Sequence, residues 1–190
     1  MDVQSAISHY KSLINELEWL GPCMGWTVIT PHRDILPLEE VVARLGLDPT
    51  SAYTSGTGIF GEVSLGQINS STMLFEANAI SYVGQPSVLG AISENAEVWH
   101  VSWTGTAQKK LRVARDGEII VEIPDFDYKM ARGPRVDIIS LEMGLLRQVA
   151  RRRWPTLSAT AMAIIEKRTG AHLNKEWLST PQYTVSVDTL

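Results

Sequence analysis

The sequence is poor in cysteine, in positive net charge and in long apolar runs, and each shortage argues against a class of protein. Cys23 is the single cysteine, which excludes an internal disulfide framework and favours a reducing compartment. The formal net charge of −4 argues against a general polyanion binder. No run approaches the ~18 apolar residues that a membrane-spanning helix needs. The first residues also lack the basic and apolar segments of a secretory signal, so we expect a cytoplasmic protein without a membrane partner.

What remains is the composition of one globular domain. The chain has 190 residues, of which 44% are hydrophobic and 20% charged, as in folded rather than disordered proteins. We therefore expect a single domain over residues 1–190. Tryptophan is unusually frequent, with six residues against three phenylalanines. Because a buried indole N–H needs a partner, some of these rings are predicted at the edge of the core or in a groove.

The spacing of apolar residues predicts an α+β fold. Helical spacing marks residues 2–17, 37–46, 86–95, 136–153 and 158–169. Strand-like composition marks residues 24–30, 62–69, 72–78, 97–105, 109–115 and 118–123, with a further edge strand in the alternating tail 183–187. Asp116-Gly117 predicts a two-residue hairpin turn. We expect an antiparallel sheet of about five or six strands, with helices packed mainly on one face and the other face wetter.

Two segments are predicted to be loops, residues 50–61 and 124–135, and the sequence leaves open whether they are ordered alone or fold over a partner. The first contains Gly56 to Val63, which has the G-x-G-x-x-G-x-V form of a kinase glycine loop. No lysine follows in the next strand, and His-Arg-Asp and Asp-Phe-Gly are both missing. A flexible surface loop is therefore the favoured interpretation.

No residue pattern indicates a catalytic constellation, a metal or a cofactor. The histidines at positions 9, 32, 100 and 172 share no metal-ligand spacing, and the chain has no G-x-S-x-G nucleophile elbow. His100 alternates with Val98 and Ser102, which favours a hydrogen-bonded histidine of the sheet over a catalytic one. We therefore assign neither a catalytic residue nor a cofactor, and enzymatic activity stays open.

Four residues form the candidate binding site: Glu76, Asn78, Trp99 and Trp103. Met73 and Phe75 should face the core, so Glu76 and Asn78 project from the opposite face near the end of their strand. The favoured interpretation is that this pair hydrogen-bonds the backbone of the following turn. The alternative is a polar pair at the mouth of a groove beside the Trp99–Trp103 strand.

A basic cluster ends the helix predicted over residues 136–153 and consists of Arg147, Arg151, Arg152 and Arg153. Cations at this end of a helix complement its dipole, which is the simpler interpretation. The functional interpretation is a nucleic-acid contact, although the acidity of the whole chain argues against it.

Three stretches of the chain resemble a known family when they are taken in order. They are residues 38–46, the strand 74–78 followed by Gly84, Pro86 and the Trp99–Trp103 strand, and residues 168–174. Over about residues 24–178 the chain is similar to a family of small actinobacterial proteins that carry a domain of unknown function. The resemblance implies no activity.

Three functions remain open from the sequence. The first expectation is a non-enzymatic protein-interaction module, such as an immunity or accessory protein, because tryptophan is enriched in contact hot spots. The alternative is a small enzyme or small-molecule-binding protein with a groove near Glu76, Asn78 and the Trp99–Trp103 strand. The third is a nucleic-acid accessory protein that uses the Arg147–Arg153 helix, with binding that depends steeply on salt. The partner, the ligand and the oligomeric state stay open.

Overall fold

The computed structural model describes residues 2–78, 80–104, 108–152 and 154–187, and eight strands of these ranges form one sheet. All neighbouring strands are antiparallel, in the order β2-β8-β3-β4-β1-β5-β6-β7. The strands are β1 (Cys23–Pro31), β2 (Tyr53–Ser55), β3 (Glu62–Ile68), β4 (Ser71–Glu76), β5 (Ala96–Thr104), β6 (Lys109–Arg115), β7 (Glu118–Pro124) and β8 (Gln182–Ser186). The α+β class and the antiparallel sheet are confirmed, whereas the expected five or six strands are too few.

The two strands at one side of the sheet account for most of this error. β2 is three residues long and lies in the segment predicted as a loop, because so short a strand leaves no readable alternation. β8 follows the alternation of the tail, yet it lies between β2 and β3 and not at an edge. Pairing with a distant segment decides both positions, and local pattern carries no information about it.

Helices surround the sheet, and the first five lie at the positions that helical spacing predicts, with bounds that differ by a few residues. They are α1 (Val3–Glu16), α2 (Leu38–Arg44), α3 (Pro86–Ile92), α4 (Ser140–Val149), α5 (Thr156–Thr169) and α6 (Lys175–Ser179). The Asp2 carboxylate begins α1 by accepting hydrogen bonds from the backbone N–H groups of Gln4 and Ser5. The predicted helix 136–153 is divided, since a 3₁₀ turn precedes α4. Within the described residues no helix is long and apolar enough to cross a membrane.

The core lies on both faces of the sheet. On the first face α1, α4, α5 and α6 pack over a cluster that includes Trp26, Trp99 and Trp103. On the second face the shorter α2 and α3 cover a smaller cluster that includes Leu74 and Val98. The expectation of a wetter second face is therefore corrected, because two helices bury part of it. The remainder of that face holds the polar residues described below.

The turn between β6 and β7 has the predicted geometry. Asp116 and Gly117 have φ angles of 50° and 89°, as a two-residue hairpin turn of the primed type requires. A β-bulge shifts the register between Val113 and Ala114. This hairpin positions Arg112 opposite Glu122, which matters for the site.

Candidate functional site

Polar side chains form two rows across the second face of the sheet. Thr27, His100, Arg112 and Glu122 are register partners on β1, β5, β6 and β7. One step along the strands, Glu76, Gly25, Ser102 and Lys110 are register partners on β4, β1, β5 and β6. Because side chains two residues apart share a face, both rows project toward the side of α2 and α3.

Glu76 fastens the segment after β4 onto this face. Its carboxylate is 1% exposed and accepts hydrogen bonds from the backbone N–H groups of Tyr82 at 2.8 Å and Val83 at 3.2 Å. The Ser81 hydroxyl and the Asn78 amide also donate to it. Burial raises the pKa of Glu76, while these hydrogen bonds act in the opposite direction. The carboxylate thus satisfies the backbone of the following turn, as its favoured interpretation predicts.

Gly25 makes room for this carboxylate on the neighbouring strand. A Cβ atom at Gly25 would lie 2.6 Å from Glu76 Oε1, well inside contact distance. A side chain at this position would therefore displace Glu76 from its donors. The glycine belongs to the site for that steric reason.

Asn78 connects the same network to the glycine-rich segment 56–61. Its Oδ1 accepts a hydrogen bond from the Gly61 backbone N–H at 2.7 Å, and its Nδ2 donates to Glu76 at 3.1 Å. The Thr57 hydroxyl donates to the Leu178 carbonyl, which fixes the segment at a second point. This segment, predicted as a flexible loop, is held at both points by hydrogen bonds.

His100 is a hydrogen-bonded histidine of the sheet, as its alternation predicts. Its Nδ1 lies 2.8 Å from Thr27 Oγ1 and its Nε2 lies 3.5 Å from Ser81 Oγ. Complete burial, and then the positive charges of Arg112 and Lys110, lower the pKa of His100 to about 3. The imidazole is therefore neutral at pH 7. A Cβ atom at Gly84 would lie 2.6 Å from His100 Nε2, so only glycine lets the chain cross the ring there.

Arg112 holds the other end of the same segment and carries positive charge into the site. It donates to the Gly84 carbonyl and to the Glu122 carboxylate. Burial opposes the charged form of Glu122, but hydrogen bonds from Arg132 and Arg112 lower its pKa overall. One carboxylate thus lies between two guanidinium groups, and positive charge exceeds negative charge here.

An open pocket of about 470 Å³ lies between the 80–86 segment and the adjoining ends of β5 and β6. The hydroxyl groups of Ser81 and Ser102 line it together with Lys110 and Arg112. In the part of the chain that the structure describes, the half-buried Lys110 forms no ion pair. A cation with no ion-pair partner among the described residues therefore faces this pocket beside the Ser102 hydroxyl.

Trp99 and Trp103 do not share a groove with Glu76 and Asn78. They are 1% and 2% exposed and lie in the core of the first face, because odd-numbered residues of β5 point away from His100. Their indole N–H groups donate to the Glu97 side chain at 2.7 Å and to the Leu20 carbonyl at 2.9 Å. This corrects the placement expected from the sequence, since the sheet separates the two pairs.

The sequence interpretation missed Ser81, Lys110 and Arg112. Alternation along β5 and β6 places residues 100, 102, 110 and 112 on one face, and that signal was available in the sequence. The register between the strands could not be read from the sequence, and neither could the return of residues 81–84 over His100.

No protein-family model, curated protein or solved structure matches this chain. The family resemblance of residues 24–178 therefore stays a prediction. The hydrogen-bond donors and the positive charge of the site indicate which class of ligand it can bind.

Proposed function

We propose that this protein binds a small organic anion in the pocket between the 80–86 segment and β5 and β6. The observation that carries the proposal is the convergence of Lys110, Arg112 and Ser102 on one pocket. Its volume of about 470 Å³ lies in the ordinary range of sites for small molecules. Enzymatic activity is not part of the proposal.

The charge of the lining favours an anion over a neutral or cationic ligand. The described residues that line the pocket include Lys110 and Arg112 and no carboxylate. The buried acids beside the pocket have engaged oxygens, Glu76 by donors of the 78–83 segment and Glu122 by two arginines. A carboxylate or phosphate would meet the Lys110 ammonium, the Arg112 guanidinium and the Ser102 hydroxyl, and hydrogen bonds between charged groups are of the strong class.

The 80–86 wall of the pocket is hydrogen-bonded to the sheet in the absence of a ligand. Glu76 binds residues 81–83 and Arg112 binds Gly84, so the segment is attached to the sheet at both ends. A buried polar network that is fully hydrogen-bonded fixes one conformation. Preorganisation of this kind reduces the entropy that binding costs.

We expect succinate or inorganic phosphate to raise the melting temperature at low ionic strength, and succinamide, the uncharged analogue, to have no effect. Replacing Lys110 by methionine keeps the aliphatic stem and removes the charge. We expect it to weaken binding about 10- to 100-fold, because a hydrogen bond to a charged group contributes ~1.5–3 kcal/mol. Isothermal titration calorimetry of wild type and variant measures this ratio.

The matched control is Lys11→Met, which removes an exposed lysine from α1 on the other face of the sheet. It should bind both probes as the wild type does. Equal responses to succinate and succinamide, or unchanged affinity in Lys110→Met, would contradict the proposal. A failure of both anionic probes to bind would contradict it as well.

A protein-interaction module is our second proposal, and it rests on an exposed apolar patch. Trp19, Ile59 and Phe60 form this patch, which we call the Trp19 patch, and they are 39%, 45% and 61% exposed. The Trp19 ring packs against Gly58 and edge-on against Phe75, so it is held in place at the surface. Exposed, fixed aromatic rings are typical of contact hot spots.

For this second proposal we expect a tagged protein to retain one stoichiometric protein partner from host lysate at high salt. Phe60→Ser should weaken that complex about tenfold or more, because a hot-spot side chain contributes ~2 kcal/mol or more. Leu141→Ser is the matched control, since Leu141 is 73% exposed and lies on α4. Equal retention by both variants would contradict a role of the Trp19 patch.

A further inference from the structure

A second cavity, of about 680 Å³, lies at the same end of the sheet but on the first face. It is bounded by the segment that follows β7 and by the connection from α4 to α5. The backbone N–H of Asp125 donates to the Lys109 carbonyl at 2.6 Å, which ties this segment to β6. The two cavities share no lining residue, so this one is independent of the anion pocket above.

Three cations line the second cavity: Lys129, Arg147 and Arg151. In the described ranges, none of the three forms an ion pair. The helix dipole accounts for Arg147, which lies in the last turn of α4. Arg151 lies four residues further along, just beyond the end of α4, where a second positive charge adds repulsion. Two aspartates line the same cavity, so its cations outnumber its carboxylates by one and form no ion pair with them within the described residues.

The opposite wall is built from a strained turn. Asp125 and Phe126 have φ angles of 53° and 54°, in the left-handed region that residues other than glycine rarely adopt. The Phe126 ring is 1% exposed and anchors the turn in the core. Such strain persists only where the surrounding structure enforces it, and it concentrates at functional sites.

The two aspartates of this wall differ in what they bind. The Asp127 carboxylate accepts a hydrogen bond from the Lys129 backbone N–H at 3.0 Å and so caps the turn of residues 128–130. The Asp125 side chain has no hydrogen-bond partner among the residues that the structure describes. Asp125 is therefore an acceptor available to a ligand that carries a hydroxyl group.

We propose that this cavity binds an organic phosphate monoester whose body carries hydroxyl groups, as in a sugar phosphate. The monoester carries a charge of about −1.5 to −2 at pH 7, so its phosphate group would bind at the side of the three cations and away from the aspartates. Arginine forks match phosphate oxygens geometrically. The cavity is far larger than a phosphate group needs, so the hydroxylated body lies toward Asp125 and Tyr128.

The aspartates argue against a nucleic-acid strand at this place. Asp125 and Asp127 lie among the cations, and a continuous phosphate backbone would meet their carboxylates. A small ligand with one phosphate group would avoid them. Only part of the basic cluster predicted over Arg147 to Arg153 faces the cavity. Arg147 and Arg151 line it and Arg152 does not, while Arg153 lies outside the described residues.

The test is calorimetric titration of the purified chain with glucose 6-phosphate, inorganic phosphate and glucose. We expect glucose 6-phosphate to bind at least tenfold more tightly than inorganic phosphate, and glucose alone not to bind. The double variant Arg147→Glu/Arg151→Glu should lose tenfold or more in affinity for glucose 6-phosphate. Both arginines are exposed, so the variant should fold, which circular dichroism and its melting temperature would verify.

Two control variants make the test specific. Arg152→Glu makes the same type of substitution at one exposed arginine outside the cavity and should bind normally. Lys11→Met removes an exposed lysine of α1 that lines neither cavity, and it should also leave the affinity for glucose 6-phosphate unchanged. Equal losses in Arg152→Glu, loss of binding in Lys11→Met, no binding of glucose 6-phosphate, or tighter binding of a single-stranded oligonucleotide would each overturn the proposal.

Discussion

Replacing Glu76 by alanine should lower the free energy of unfolding by about 2–4 kcal/mol, because each buried donor left without its acceptor costs ~1–3 kcal/mol. The lost acceptor serves the backbone N–H groups of Tyr82 and Val83 as well as two side chains. Burial of the carboxylate is itself unfavourable, as its raised pKa indicates. Removing the carboxylate relieves this unfavourable burial, which partly offsets the loss of its hydrogen bonds. The melting temperature should fall by roughly 5–15 °C.

Urea unfolding at pH 7 measures this loss, with two further variants as references. Glu76→Gln keeps the size and one acceptor oxygen but turns an amide toward donors, so we expect an intermediate loss. Glu94→Ala removes an exposed glutamate and should change stability very little. If Glu76→Ala and Glu94→Ala unfold at the same urea concentration, Glu76 does not hold the 78–83 segment as described.

The second large effect is a loss of stability in mild acid that originates at His100. The pKa of this residue is about 3 in the folded protein and ~6.5 in the unfolded chain, so the unfolded state binds the extra proton between these values. Falling pH therefore favours unfolding, by about 1.4 kcal/mol per pH unit below ~6.5. Between pH 6.5 and 4.5 the contribution reaches roughly 2 kcal/mol.

Glu76 contributes with the opposite sign. Its pKa is raised in the folded protein, so the native state takes up a proton before the unfolded chain does. This partly offsets the His100 loss while the pH falls from the raised pKa of Glu76 to the ordinary value of a glutamate. A variant without the imidazole keeps this contribution, so the difference between the two proteins isolates His100.

Urea unfolding at several pH values isolates the His100 term as the difference between wild type and His100→Asn. Asparagine keeps a polar group near Thr27 and does not titrate, so the variant should lose less stability than the wild type as the pH falls. His32→Asn, at an exposed histidine that contacts Asp116, should keep the wild-type dependence on pH that His100 causes. Parallel curves for wild type and His100→Asn would contradict the assignment.

Local chemistry made part of the fold predictable. Helical spacing located the main helices, and Asp116-Gly117 gave the β6–β7 turn because both residues accept positive φ angles. The number of strands was not predictable, since β2 exists only because β8 pairs with it. Pairing of this kind depends on segments that lie far apart in the chain.

The sequence predicted the face of the sheet for one pair of candidate residues and misplaced the other pair. Alternation placed Glu76 and Asn78 opposite Met73 and Phe75, which the structure bears out. The interpretation then joined them to Trp99 and Trp103, although the same alternation sets those rings apart from His100. Only the register of β4, β1 and β5 establishes that Glu76 shares its face with His100 and Ser102.

The position of β8 also governs how the protein is made. β2 pairs only with β8, and β3 depends on β8 for its second neighbour. Until residues 182–186 have been synthesised, β3 therefore presents an open hydrogen-bonding edge and β2 has no partner. Nascent chains in which strands β3 to β7 are complete would be prone to pair with one another through that edge. The edge therefore stays exposed until residues 182–186 have left the ribosome.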